Sequence, residues 1–503
     1  MTVYNINLGI GWASSGVEYA QAYRASVFKD LGIDTQFVFT DLFRSENLAH
    51  FTENMGFSDE NVTWLYQAFS DIKTAPTTFT LSDIKKSLSF EPTKTEEGGN
   101  FIRFIEEQRQ LRVTYYFVKD SKEFVHRVEH VSRGVLVRKD FYSYTRVFSE
   151  YYFPKNNVAT VYLRTFYNED GSIAFEELVD GDKSTYRFKD KLFFDKYELL
   201  GHYLDSLQLT SKDIILLDRG AGTAQAVFRH KGAAKLAVVI HAEHFSPNSV
   251  TDHTILWNNF YEYQFVNSDM VDAYIVSTKR QKEVLAEQFA TFHQKQPTIY
   301  VIPVGSIDKL RHAENNRKPY SLVTASRLAT EKHIDWLVEA VLLAKEEIPE
   351  LTFDIYGEGG QRKILQEIID KAQAQDFIQL KGHQNMTEVY QNYEAYLAGS
   401  TSEGFGLTLL EAIGGGLPII GLDVRYGNQT FIDDGQNGYL IPRQEPDDAG
   451  LMARAFAEKI VTLFKEADLR AFHEHSYAKA DPYLNAAIEK RWLDFMEEVT
   501  HDC

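Results

Sequence analysis

Glu403-Gly404-Phe405-Gly406-Leu407-Thr408-Leu409-Leu410-Glu411 sets two carboxylates eight residues apart around a glycine turn, soon after the apolar run 395–398. Strand, glycine turn, then helix is the repeating step of a parallel α/β sheet. The glycines let the backbone approach a ligand closely, and a helix beginning near residues 406–408 aims N–H groups and a positive dipole end at it. Glu403 stands before the turn and Glu411 one turn inside the helix, so the two carboxylates must do different work. The layout suits a nucleotide-sugar site. A capped surface helix with ordinary acidic residues gives the same spacing, and for the run alone that is the better reading. The rest of the chain reverses the preference.

Around this run the spacing predicts strands at 321–324, 352–356, 378–381, 395–398 and 418–421 with helices between them, which is one doubly wound domain. A second begins the chain: a strand at 3–8, the turn Gly9-Ile10-Gly11, a helix over 16–31 and a strand at 35–39, resuming at 213–218 and 236–240. Between them the character changes. Residues 114–194 are dense in Tyr and Phe among Val and Thr, punctuated by Asp170-Gly171 and Asp180-Gly181, which reads as antiparallel hairpins inserted in the first domain. Most of those rings are expected in a core, the remainder on an exposed face. The predicted organisation is an N-terminal domain of 1–45 and 200–305, a β-rich insertion at 46–199 for acceptor or partner binding, a C-terminal domain at 306–480, and a final helix in 481–503 crossing back to the first domain.

The 503 residues exceed one core. A net charge of −19 argues against nucleic acid or a strongly anionic polymer as the main partner, though a local patch such as Arg133, Arg138, Lys139 and Arg146 keeps a polyphosphate acceptor in view. The only cysteine, Cys503, permits no disulfide within the chain and no thiolate zinc cage. No signal peptide or membrane span is expected. A cytoplasmic protein follows, with at most peripheral contact at the inner face of the membrane.

Three further places carry chemistry. In Ala325-Ser326-Arg327-Leu328-Ala329-Thr330-Glu331-Lys332 a strand ends and a helix starts, with Arg327 and Lys332 placed to grip a diphosphate and to stabilise the charge that develops as a nucleoside diphosphate leaves. Alone, such cations are usually solvated; beside 404–408 on the same sheet the functional reading is better. In Val238-Val239-Ile240-His241-Ala242-Glu243-His244, His241 follows a buried strand at the sheet edge and is the preferred candidate, His244 the second; a packed strand-end histidine is an equal alternative. The pair offers no third ligand, so metal ranks last. In the first turn, Ser14 stands where a dinucleotide fingerprint has its third glycine. Gly16 is therefore expected to meet a phosphate or sugar through its backbone, with no dinucleotide cofactor, and a plain tight turn stays open.

Taken in order, Ser15-Gly16-Val17-Glu18, His241, Arg327 with Lys332, and Glu403 to Glu411 resemble a retaining glycosyltransferase of family 4 with the GT-B architecture, two facing Rossmann-like domains. The match covers about residues 1–45 and 200–503. The resemblance implies that Glu403 supports the reacting face of the sugar, Glu411 binds the ribose hydroxyls, Arg327 and Lys332 hold the diphosphate, and His241 contacts the sugar. Backbone around Gly382-His383 would read the base, and Gly404, Phe405, Gly406, Leu407 and Thr408 would cradle the donor. The insertion is similar to the extended β-sheet domain of streptococcal protein O-GlcNAc transferases of the accessory secretion system; teichoic-acid α-GlcNAc transferases share a similar one. This implies UDP-GlcNAc as donor, Ser/Thr hydroxyls of a serine-rich adhesin as acceptor, no metal or other cofactor, and a heteromeric complex with a homologous B subunit through the insertion. The alternatives are a catalytically silent binding subunit and a teichoic-acid transferase. Two departures stand out: Ser15-Gly16 where many relatives have Gly-Gly, and His333 where Gly is common.

Overall fold

The computed structural model describes residues 1–11, 16–86, 88–313, 317–443 and 446–501. The chain forms two compact units: Met1–Val239 with Trp257–Asp272 and the residues from Val499, and Ile240–Leu256 with Ala273–Glu498. His241 and the loop after it therefore fall in the second unit. Ser14 and Ser15 lie outside the described residues.

In the first unit five parallel strands run in the order Lys235–Ile240, Ile214–Leu217, Val3–Asn7, Thr35–Phe39, Val62–Trp64. The apolar runs of Ile214–Leu217 and Lys235–Ile240 fit strands covered on both faces, while Val3–Asn7 and Thr35–Phe39 bury polar residues, Asn5, Asn7 and Thr35, among apolar ones. Ile214–Leu217, for example, is buried at all four positions. Gly16–Asp30 supplies a covering helix and buries Arg24 against Asp218 as an ion pair.

The inserted sheet is larger than the spacing predicts. Ten antiparallel strands run as a meander from Lys94–Glu97 to Leu192–Phe193, three of them (Lys94–Glu97, Phe101–Glu106 and Leu111–Phe117) starting before residue 114. The early strands escape a search for aromatic density because Lys94–Glu97 is polar throughout. A ladder of stacked rings crosses the sheet: Phe141 on Phe148 at 4.2 Å, Phe148 on Phe166 at 5.3 Å, Phe166 on Phe175 at 4.4 Å and Phe175 on Phe188 at 4.8 Å. These rings join one core with Phe37, Phe39 and Trp64 of the parallel sheet. Arg164 is buried farther along the same sheet, its charge met by Glu150 at 2.8 Å and Glu177 at 3.0 Å. Of the nineteen Tyr and Phe residues in 114–194, Phe153, Tyr162 and Phe194 are exposed, at 43%, 42% and 68%.

The second unit holds a six-stranded parallel sheet in the order Ile378–Gly382, Thr352–Tyr356, Ser321–Ala325, Ala395–Ala398, Ile419–Leu422, Gly438–Ile441. The sixth strand is missed in the sequence because it is four residues long and closely preceded by Gly435-Gln436-Asn437. Chain order reverses between Ser321–Ala325 and Ala395–Ala398, which opens a crevice at the carboxyl ends of those two strands, where ligands of such sheets bind. Arg327, Lys332 and Glu403 all follow these two strands. The last helix, Asn485–His501, sets Phe495 and Glu498 against Tyr300.

Candidate active site

Glu403 is held by its backbone. Its carbonyl accepts from the N–H of Tyr426 at 2.7 Å and of Gly427 at 2.8 Å, tying the turn to the segment after the next strand. Gly406 has φ +87°, a left-handed conformation open to glycine at little cost, and the helix Leu407–Gly414 starts immediately after it. The N–H groups of Leu409 and Leu410 donate to the Gly406 carbonyl at 3.0 Å, so at the helix start only those of Leu407 and Thr408 have no carbonyl of the helix to bind. The Glu403 side chain meets Lys332, with Nζ 2.8 Å from Oε2 and both groups largely shielded, 18% and 22% exposed. Lys332 is placed by a short 3₁₀ turn, Thr330–Lys332, that lies between the strand and the helix Ile334–Lys345.

Arg327 differs. Its side chain is 79% exposed and, among the described residues, reaches only Glu331, at 3.4 Å. The structure thus brings Lys332 and Glu403 together while Arg327 extends into solvent from the same strand end. His333 adopts φ +43° and stacks on Trp336 with ring centroids 3.7 Å apart. The backbone there is left-handed, a conformation that favours glycine, and the ring stack offsets the strain.

Glu411 projects from the same helix, partly open to solvent; the Tyr390 hydroxyl donates to its Oε2 at 3.1 Å. Loss of water on its protein-facing side raises the carboxyl above its usual pKa, against the lowering effects of Tyr390 and, more distantly, Arg311. Gly382 (φ +73°) ends its strand and leaves His383 exposed. Gly16 begins its helix in the first unit, and a methyl there would meet nothing within 4 Å, so packing does not demand glycine. Among the described residues no group of three or more His, Cys, Asp or Glu side chains is arranged to hold a metal ion.

The two histidines separate cleanly. His241 is half-buried, and its carbonyl lies so close to Gly404 that a methyl on that glycine would stand 2.9 Å away. Gly404 is therefore the residue that lets the histidine strand end approach the Glu403 turn. His244, the second candidate, is instead an interior residue: fully buried, with Nε2 2.8 Å from Gln288 Oε1 and its ring stacked on Tyr426. Burial pushes it down to about 4 from 6.5. The unfolded chain then binds a proton near pH 6.5 that the fold refuses until about 4, so this contribution is complete above 6.5 and is lost as the pH falls. A His244→Gln variant should be less stable than the parent at pH 7.5, with the gap narrowing by about 2 kcal/mol by pH 5. Urea denaturation at the two values measures it, and a gap that ignores pH would place the proton elsewhere.

Tyr426, Glu243 and Arg425 surround the site without having been singled out in the sequence. The Tyr426 hydroxyl donates to Glu243 Oε1, and Arg425 lies 3.6 Å from the same carboxylate. Their only sequence signal is a glycine, Gly427, shortly after a strand. It is required because a side chain there would run into the Phe405 carbonyl at 2.2 Å.

A parallel sheet with a switch-point crevice, and an acid and a lysine paired within it, define a glycosyltransferase of the GT-B class; residues 306–471 match the family model for glycosyl transferases group 1. Residues 94–190 match the GtfA extended beta-sheet domain. The chain is 53% identical over its whole length to the "UDP-N-acetylglucosamine--peptide N-acetylglucosaminyltransferase GtfA subunit" of Streptococcus agalactiae, covering 99% of that protein. It thus belongs to the GtfA subunit family. Among solved structures, the pneumococcal O-GlcNAc transferase GtfA in complex with UDP and GlcNAc superposes with a TM-score of 0.91 at 53% identity, covering 100% of this chain and 99% of that one. A GtfA/B complex structure gives 0.97 at 51% identity, with both chains fully covered. The poly(ribitol-phosphate) alpha-N-acetylglucosaminyltransferase of Staphylococcus aureus is 25% identical over 79% of this chain and 76% of its own.

Proposed function

We propose that the protein is a retaining UDP-GlcNAc-dependent transferase that moves GlcNAc to Ser and Thr hydroxyls of a serine-rich adhesin in the cytoplasm. The Lys332–Glu403 pair at the switch point carries this reading, supported by a 53% identical relative solved with UDP and GlcNAc. The acceptor hydroxyl oxygen bonds to C1 of the sugar as the bond from C1 to the β-phosphate oxygen breaks. The hydroxyl proton passes to that departing oxygen, and UDP leaves. Lys332 and Arg327 stabilise the growing negative charge, so positive charge is supplied by the chain itself and no metal or other cofactor is needed. Glu403 supports the sugar, His241 contacts it, Glu411 takes the ribose hydroxyls, and Gly382-His383 borders the base. The helix start at Leu407 and Thr408, with Gly404, Phe405 and Gly406 before it, approaches the phosphates or sugar. Incubating the full chain with UDP-GlcNAc and a Ser/Thr-rich polypeptide, with and without its partner, tests this by mass: sugar must appear on peptide, with its anomeric configuration retained.

A silent binding subunit would have no use for a shielded acid–lysine pair. A polyphosphate acceptor is disfavoured by the patch that kept it in view: Arg138 and Lys139 are met by Asp140 and Glu129 at 3.1 and 2.9 Å, and Arg146 lies over the Tyr167 ring.

The partner is a homologous B subunit docking on the inserted sheet, in line with the GtfA/B relative. Phe153, Tyr162 and Leu178 expose about two-fifths of their surface there. Deleting the insertion would also remove half of the first unit's core, so surface charge is the sharper probe. Phe153→Asp with Tyr162→Asp should weaken B-subunit binding by at least about tenfold in a titration while the thermal midpoint holds. Full-strength binding would move the interface off this face.

A further inference from the structure

Beside Glu403 the second unit contains an open groove of about 860 Å³, whose Thr401 N–H donates to the Glu331 carbonyl next to Lys332 at 3.3 Å. Its walls are the loops after three strands: Ser402 after Ala395–Ala398, Asp423 and Arg425 after Ile419–Leu422, and Arg443 after Gly438–Ile441, with Asn248 of Phe245–Val250 opposite. Sheet order separates the two halves of the crevice. Arg327, Lys332 and Gly382 follow the strands on one side of Ala395–Ala398, and the groove follows the strands on the other, so Glu403 stands where they meet. The groove wall is also hydrogen-bonded to Glu403, whose carbonyl takes the Tyr426 N–H while the Tyr426 hydroxyl donates to Glu243 in the wall.

The lining says what fits. Each cation is answered within the groove: Arg425 is 3.6 Å from Glu243, and Arg443 grips Asp447 through two contacts of 2.8 Å. Asp423 accepts from Gln429 at 2.8 Å. Three acids against two bases leave no field to attract a polyanion. The hydroxyl of Ser402 and the amide of Asn248 instead offer donors and acceptors to a neutral polar main chain.

We propose that this groove holds the acceptor polypeptide, an extended uncharged chain rich in hydroxyl side chains, and presents one hydroxyl at Glu403. The inference rests on the transferase reading above. Asn248 is exposed on its strand, so Asn248→Trp should fill the groove without disturbing the core. With the full chain, UDP-GlcNAc and a synthetic Ser/Thr-rich peptide, this variant should raise the peptide KM at least about tenfold, leave kcat and peptide-free hydrolysis of UDP-GlcNAc unchanged, and keep the parental unfolding midpoint; Asn248→Ala should stay within about threefold. Poly(ribitol phosphate) should not compete with the peptide. An unchanged peptide KM in Asn248→Trp overturns the assignment. So does hydrolysis falling together with transfer in the folded variant, which would give the groove to the donor, or effective competition by the polyphosphate. If the parent shows neither hydrolysis nor transfer, the transferase reading fails first and takes this inference with it.

Discussion

Replacing Glu403 by Gln is expected to cut GlcNAc transfer by about a thousandfold, the scale seen when one preorganised charged or hydrogen-bonding group is removed from a reacting centre. The fold should not notice. The turn is fixed through the Glu403 backbone, which binds Tyr426 and Gly427 whichever side chain it carries. The ion pair with Lys332 is largely shielded, but the glutamine Oε1 still accepts a hydrogen bond from the ammonium, so the substitution costs about 1 to 2 kcal/mol in stability. Glutamine keeps the shape and one hydrogen bond to Lys332 but removes the negative charge that, in the proposed reaction, faces the sugar as it acquires positive character. Because that character belongs to the transition state, the loss should fall on kcat with the donor KM nearly unmoved. Initial rates across donor concentrations, alongside a thermal unfolding curve, decide it. A variant within tenfold of the parent rate would remove Glu403 from the reacting face.

The parallel halves of this molecule were legible because each repeats strand, turn and helix at short intervals with apolar strands, and covered parallel strands leave that signature. Glu403 and Lys332 could be placed at strand ends for the same reason: each follows a strand beside a turn. Tyr426 could not. Its role depends on a hydroxyl reaching Glu243, 183 residues away in the chain, and no local pattern encodes such a contact. The histidines show the limit from the other side. His241 and His244 are three residues apart on one strand end, and only packing against Gln288 and Tyr426 turns the second inward. The inserted sheet was half visible, since aromatic strands announce themselves and the polar strand Lys94–Glu97 does not.

Lys332→Ala should be more damaging than Arg327→Ala, although the proposed reaction sets both positive charges against the same diphosphate. Lys332 is already in place, held by Glu403 in a partly shielded site where a unit charge at about 4 Å acts with an effective strength of several kcal/mol. Arg327 is free of such restraint at 79% exposure, and ordering so long a side chain on the donor costs up to about 2 kcal/mol of the interaction it then gains. The expected losses are about a thousandfold in kcat for Lys332→Ala and about ten- to a hundredfold for Arg327→Ala, the latter mainly through donor KM. Equal losses would mean that Arg327 is ordered before the donor arrives. Lys332→Ala also strips Glu403 of its counter-charge and leaves an anion facing the incoming phosphates. Adding Glu403→Gln to Lys332→Ala relieves that repulsion, so the double variant should be about as slow as either single one. Losses that multiply would show that the two residues act independently, and the ion pair would then be a neighbourly contact without a shared role in the reaction.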